Sequence, residues 1–302
     1  MTEQPTIIIP YPGPSRAPDV QDIFIYLRPE SNGVRVEGPL LKSIRDYPAP
    51  KDSLKIIYMA NIPGSFLIKH RIIEEHNSLK VRFAVHGRDL FTSAMRRAFE
   101  DYFQIPFSEA DIIGSFEALK RLNYTYEELF HLWLREKDLF NIHGQTVKRF
   151  KDIFIVNYDI PALLHKNNNQ TNIFVIILRS FLPYSENHKI MDLTGKTLSE
   201  QGLLAEHMPL SYILHYSKGP FEQILDGLGY AYTREEKHSA LSSLSFFAYL
   251  LEKGCIREDI LDAIQNPIMN FSTESGIVEK NLLNFTAEKS FKEAYQLFES
   301  RI

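Results

Sequence analysis

Cysteine is almost absent from this 302-residue chain. Cys255 stands alone, which excludes an internal disulfide framework and a four-cysteine zinc site. A disulfide-free chain of this size fits a reducing compartment. Long apolar runs are missing too. The longest, IFVIILRSFL from Ile173, is broken by Arg179 and falls short of the roughly 20 residues that span a bilayer. The N-terminus has no basic segment followed by an apolar stretch, so no signal peptide is expected. These absences point to a soluble cytoplasmic protein with no membrane partner. No large excess of positive charge exists either: the net charge is -4, which argues against gripping nucleic acid through phosphates but leaves room for a local basic face.

Linear catalytic signatures are also lacking. There is no G-x-S-x-G elbow and no G-x-G-x-x-G after a strand. Gly195-Lys196-Thr197 lacks the upstream glycine and strand of a phosphate loop and reads as a helix-start turn. His70 and His76 are too far apart for a helical zinc pair, and no metal or cofactor is expected. Cys255 reads as a packed thiol, and Gly227-Leu228-Gly229 as a helix terminator.

What is present is a globular composition, 44% hydrophobic and 24% charged, with 21 Phe and 15 Tyr to fill cores. Five prolines (Pro5, Pro10, Pro12, Pro14 and Pro18) make the first 20 residues an extended arm unable to serve as a central strand. Asn32-Gly33 predicts a hairpin turn between two short β-prone runs. LKIIYMANIPG predicts a third strand. SFLIKHRIIEEHNS reads either as a helix, which would make the region β-α-β, or as a strand forming a second hairpin with KVRFAVH. The hairpin is favoured because Leu79, Val81, Phe83 and Val85 alternate with polar or small residues and the segment before them shows no single helical stripe. A helix follows from Leu90, and capping boxes at Ser108/Asp111 and Thr125/Glu128 start helices near 109–122 and 126–140. DIFIVNY and NIFVIILRS, apolar on both faces, predict a pair of buried strands. After about Phe181 helix signals take over: Pro220 at a first turn, a Thr233/Glu236 capping box, and Gly254 as a stop.

The expected fold class is therefore α+β: a mixed, mainly antiparallel sheet with helices in residues 1–190, then an acidic helical region in 191–302. That second region carries 10 Lys+Arg against 16 Asp+Glu, whereas residues 1–100 carry 14 against 11.

Three apolar runs end in polar punctuation: YMANIPGS, FAVHGRD and FIVNYDIP. Were they parallel strands, Asn61, Ser65, His86, Arg88, Asp89, Asn157 and Asp159 would meet at one sheet edge, where open sheets bind ligands. Arg88 could hold a small anionic ligand through its planar fork, with His86 moving a proton and Asp89 orienting it. The plainer reading makes Gly87 a turn, Asp89 a cap and Arg88 a solvated charge. Residues 66–97 hold seven Lys+Arg against three acids, but Phe66, Phe83 and Phe91 are expected in the core, so nucleic acid is not the expected partner there. Two functions follow. One is a non-catalytic binding or scaffolding protein whose partner is another protein. The other is an enzyme or small-ligand binder using the His86-Arg88-Asp89 cluster. The sequence sets neither a reaction nor an oligomeric state.

Overall fold

The structure, a computed structural model, describes residues 4–17, 20–133, 135–205, 208–233 and 237–302. Pro18 and the Thr233/Glu236 capping box therefore lie outside the described residues, the latter through Glu236. The fold is α+β, as expected. Five strands form the main sheet: β1 (Thr6–Ile9), β2 (Gln21–Leu27), β3 (Leu54–Pro63), β8 (Asn172–Ser180) and β9 (Leu214–Tyr216). Their order is β1-β3-β8-β2-β9, and every neighbouring pair is antiparallel.

The sheet is covered on both faces. Ile23, Ile25 and Leu27 of β2, with Phe174, Ile176 and Leu178 of β8, meet the helices Val34–Asp46 and Tyr184–Glu200. Phe24, Tyr26, Ile173, Val175 and Ile177 face the opposite way, into a larger core built with the helices Pro220–Tyr230, Ser245–Glu252, Arg257–Gln265 and Phe291–Glu299. A strand buried on both sides has no polar face to show, which is why β8 is apolar at every position from Ile173 to Leu178. The proline-flanked β1 sits at the sheet edge, where a missing backbone donor is tolerated. A boundary near residue 190 would fall inside the helix Tyr184–Glu200, and β9 beyond it completes the sheet.

Between β3 and β8 the chain builds a second sheet, β4-β7-β6-β5, from Asp111–Gly114 (β4), Leu139–Ile142 (β5), Gln145–Phe150 (β6) and Ile153–Val156 (β7). β4 and β7 are parallel; the other pairs are antiparallel. One face packs on a phenylalanine cluster of Phe83, Phe91, Phe99, Phe103, Phe107 and Phe154. A hairpin of β10 (Ile268–Thr273) and β11 (Gly276–Asn281) clasps this lobe, with Glu279 accepting a hydrogen bond from Thr92 at 2.7 Å and lying 3.1 Å from His143.

Several local expectations fail for identifiable reasons. Asn32-Gly33 does not close a hairpin. The Asn32 side chain accepts from Phe174 N, and Val34–Asp46 is a helix whose Val36, Leu40 and Ile44 recur every four residues on the buried side. SFLIKHRIIEEH lacks one helical stripe because it is two short helices, Gly64–Lys69 and Ile72–His76, broken at Arg71 with φ 52°. KVRFAVH is not a strand but the helix Ser78–His86. Leu79 and Phe83, four apart, face the core, and Val85 is exposed. The period-two alternation there is incidental. Residues 111–114 form β4, and the helix starts only at Ser115. The Thr125/Glu128 capping box is present, but its helix ends at His131. DIFIVNY and NIFVIILRS supply β7 and β8, which belong to different sheets. Gly195-Lys196-Thr197 lies within the helix Tyr184–Glu200. The C-terminal region is helical as expected, with β9, β10 and β11 added.

Candidate functional site

The expected gathering of strand ends does not form, since β3 and β7 lie in separate sheets and the middle segment is a helix. Asn61 and Ser65 lie at the end of β3 and the start of the next helix. His86 is exposed at its helix end. Arg88 and Asp89 line an open groove of about 410 Å³ with Ser93, Arg96, Glu100 and Phe107. The Arg88 fork is already engaged: it donates to Phe107 O at 3.2 Å and Ala110 O at 3.3 Å, and lies over the Phe107 ring. Arg88→Ala should therefore cost roughly 1.5–3 kcal/mol, the range for hydrogen bonds from a charged donor, rather than behave as a neutral surface change. A urea midpoint identical to wild type would return Arg88 to the role of a solvated charge.

Asn157 and Asp159 converge on Lys80. The Asn157 amide donates to Lys80 O at 2.9 Å and Gln145 Oε1 at 2.8 Å, and its oxygen accepts from Thr146 N. Asp159 Oδ2 lies 3.9 Å from Lys80 Nζ. Beside them the buried ammonium of Lys148 sits 3.7 Å over the Tyr158 ring; burial holds its pKa down to about 8, against the pull of Asp159.

The charge of Lys80 also acts, weakly, on His215 in the main polar cluster of the molecule. That cluster comes from three elements. The helix Pro220–Tyr230 starts on Pro220, whose missing N–H is harmless in a first turn, and sets Glu222 and Asp226 one turn apart on one face. His215 on β9 pairs directly with Tyr26 on β2, so their rings stack with centroids 4.6 Å apart. His76 ends its short helix beside Gly229, where an added Cβ would lie 3.4 Å from the imidazole Nδ1. Gly227 and Gly229 are thus not terminators. They lie within the helix, and Gly229 leaves room for His76.

Asp226 is the centre of this arrangement. Its Oδ1 is 3.4 Å from His76 Nε2 and its Oδ2 is 3.4 Å from His215 Nε2. Glu222 Oε1 is 3.7 Å from His215 Nε2, and Tyr26 Oη is 3.3 Å from His76 Nε2. The Asp226 side chain is fully buried and His76 is 7% exposed, while His215 and Glu222, each 20% exposed, form the mouth. Neither Asp226 oxygen has a hydrogen-bond partner of good geometry among the described residues, although the nearby Ser217 side chain favours its charged form. Burial drives the titrations apart. It pushes the Asp226 carboxyl up to about 6, opposed by His76, and raises Glu222. It holds His76 down to about 4 against the pull of Asp226, and His215 to about 4 against the pull of Glu222, with smaller help from the charges of Arg28, Lys218 and Lys80. Near neutral pH the cluster thus holds two uncharged imidazoles and a carboxyl close to its own titration point.

No family model, curated protein or solved structure matches the chain. The site must speak through its own chemistry. Among the described residues no three His, Cys, Asp or Glu side chains are placed to hold a metal ion, and no helix is long and apolar enough to cross a membrane. The sequence does not show the cluster, because its four residues lie at 76, 215, 222 and 226 and meet only in the fold. The one local signal was the Glu222/Asp226 spacing inside an otherwise apolar helix.

Proposed function

We propose that the protein is an enzyme that moves protons at the His76–Asp226–His215–Glu222 cluster, acting on a small anionic substrate. The observation that carries this reading is Asp226, a fully buried carboxyl 3.4 Å from each of two imidazoles, with only the Ser217 side chain beside it to favour its charge by hydrogen bonding. Burying so weakly satisfied a group is expensive, and sites with strongly displaced titrations concentrate where chemistry is done. A carboxyl that titrates near 6 can give and take protons close to neutral pH, a contribution of about 10²–10⁴ in rate for a positioned acid or base. His215 and Glu222, at the mouth, are the groups that would touch substrate; Asp226 and His76 sit behind them. Arg28, Lys80 and Lys218 surround His215 with positive charge, which favours carboxylates or phosphates. A cytoplasmic setting belongs to the proposal and rests on the unpaired thiol of Cys255.

Thermal-shift screening against small carboxylates and phosphates tests it. A ligand at 100 times its Kd should stabilise the wild type by about 2.7 kcal/mol, and His215→Asn and Glu222→Gln should lose most of that gain. Hits incubated in D2O should show conversion or deuterium uptake by NMR that Asp226→Asn abolishes. Ligands that stabilise all these variants equally would remove the site. Ligands that bind at the mouth but undergo no conversion or exchange would make the protein a small-ligand binder and sink the enzymatic reading.

A further inference from the structure

A second groove, of about 640 Å³, opens on the four-stranded lobe. Ligand sites typically span about 300–1,000 Å³. Its walls come from the turn of 3-10 helix before β5, which carries Lys137 and Asp138, from Arg149 at the end of β6, and from Lys151 in the β6–β7 turn. Trp133, the sole tryptophan of the chain, stands at its rim 81% exposed. A single exposed ring is ordinary by itself; what sets this one apart is its place on the rim of a groove lined by cations.

The charge around that ring is one-sided. Arg135, Lys137, Arg149 and Lys151 line the groove with a single carboxylate, Asp138, which is buried and already accepts from Arg135 at 2.9 Å. Lys137 and Arg149 have no carboxylate partner among the described residues; the Arg149 guanidinium lies 5.5 Å from the Phe154 ring centroid instead. Tyr102 walls the inner side, its ring stacked on Phe140 at 4.7 Å and its hydroxyl donating to Leu139 O at 2.6 Å, so that wall is preformed. A planar ring can stack on an exposed indole, and cations without carboxylates favour phosphate. The chain's overall net charge of -4 does not oppose this, because the basic face is local.

We propose that this groove binds a nucleotide-class ligand, with a nucleobase stacked on Trp133 and a phosphate held by Lys137 and Arg149. The site is separate from the histidine cluster, and its test is independent of that reading. Because the chain has one tryptophan, its fluorescence reports this groove alone. Titrating the intact protein with AMP and with a short oligothymidylate should give saturable quenching. Adenosine, which lacks the phosphate, should bind roughly 100-fold more weakly, and inorganic phosphate should not quench at matched concentration. Lys137→Gln and Arg149→Gln, with Trp133 retained, should each weaken binding roughly tenfold or more. Lys137 is exposed, so its variant keeps the test open if Arg149→Gln lowers stability. Tighter binding of the oligonucleotide would mark a single strand as the source, and equal affinity a free nucleotide; both outcomes support the shared chemistry. Absence of saturable quenching by either probe at millimolar concentration would overturn the proposal. So would equal affinity in the variants, or fluorescence that changes on diluting the protein alone, which would make a second copy of the chain the occupant.

Discussion

Asp226→Asn should make the protein more stable at pH 7, by about 3 kcal/mol, and leave its stability at pH 4 nearly unchanged. A carboxyl displaced from 3.8 to about 6 by burial penalises the folded state when it ionises, at about 1.36 kcal/mol per pH unit of displacement. At and below about pH 4 the Asp226 carboxyl is largely protonated in the folded chain, and asparagine imitates it. As pH rises from about 4 to about 6 the unfolded chain loses its proton first, so the wild-type fold loses stability through that window while the variant does not. His76 and His215 work in the opposite sense. Their titrations are held at about 4, so the fold loses stability as pH falls from 6.5 toward 4. Both proteins keep those histidines, but Asp226 pulls on His76, so the difference reads the carboxyl together with its effect on that imidazole. Urea midpoints of the two proteins at pH 4 and pH 7 supply the comparison. A stabilising substitution at the centre of a polar cluster is the mark of a group kept for function rather than for folding.

The second large effect belongs to the backbone contact that seats the Ser78–His86 helix on β4. At Gly114 an added Cβ would lie 2.1 Å from Ala84 O and 2.7 Å from Ala84 C, both backbone atoms that cannot rotate away. Gly87, at φ 55°, completes the approach, with its own Cβ position 2.7 Å from Gly114 N. Gly114→Ala should cost about 3 kcal/mol or more, at or beyond the upper end of the usual overpacking penalty, because helix and strand must separate to admit the methyl group. Gly38→Ala is the control. That glycine sits in the helix Val34–Asp46 with nothing but its chain neighbours within 4 Å of the added carbon, and because Pro39 follows it and offsets the helix gain, the change should stay within about 1 kcal/mol either way. A loss for Gly38→Ala as large as that for Gly114→Ala would contradict the packing described.

What the sequence shows and hides follows from the range of the interactions involved. β8 is legible because both its faces are buried and its apolar run is continuous. The edge position of β1 is legible because proline removes backbone donors wherever it stands. The α+β class follows from such segments. The stretch from Ser65 to His86 is misread because short helices broken at Arg71 erase the 3.6-residue stripe, while Lys80 to His86 mimics an alternating strand by chance. Phe66, Phe83 and Phe91 are nonetheless buried, as expected, through helix and loop packing rather than strand alternation. The histidine cluster is hidden for a deeper reason. His215 reaches Tyr26 only through the β2–β9 pairing, and His76 reaches Asp226 only where its short helix packs against the helix Pro220–Tyr230. Arg88, by contrast, was noticed for its chemistry and turns out to brace the loop around Phe107 and Ala110.

The central claim is that Asp226 is a carboxyl poised near neutrality between two uncharged imidazoles. Carbon-13 NMR of the side-chain carboxyls, with Asp226 assigned by its loss in Asp226→Asn, measures this directly across pH 3–8. The account predicts an Asp226 titration near pH 6, with His76 and His215 remaining neutral until about pH 4. An Asp226 that stays ionised to below pH 4, facing histidines already protonated at pH 6.5, would reveal an ordinary buried ion pair and contradict the account.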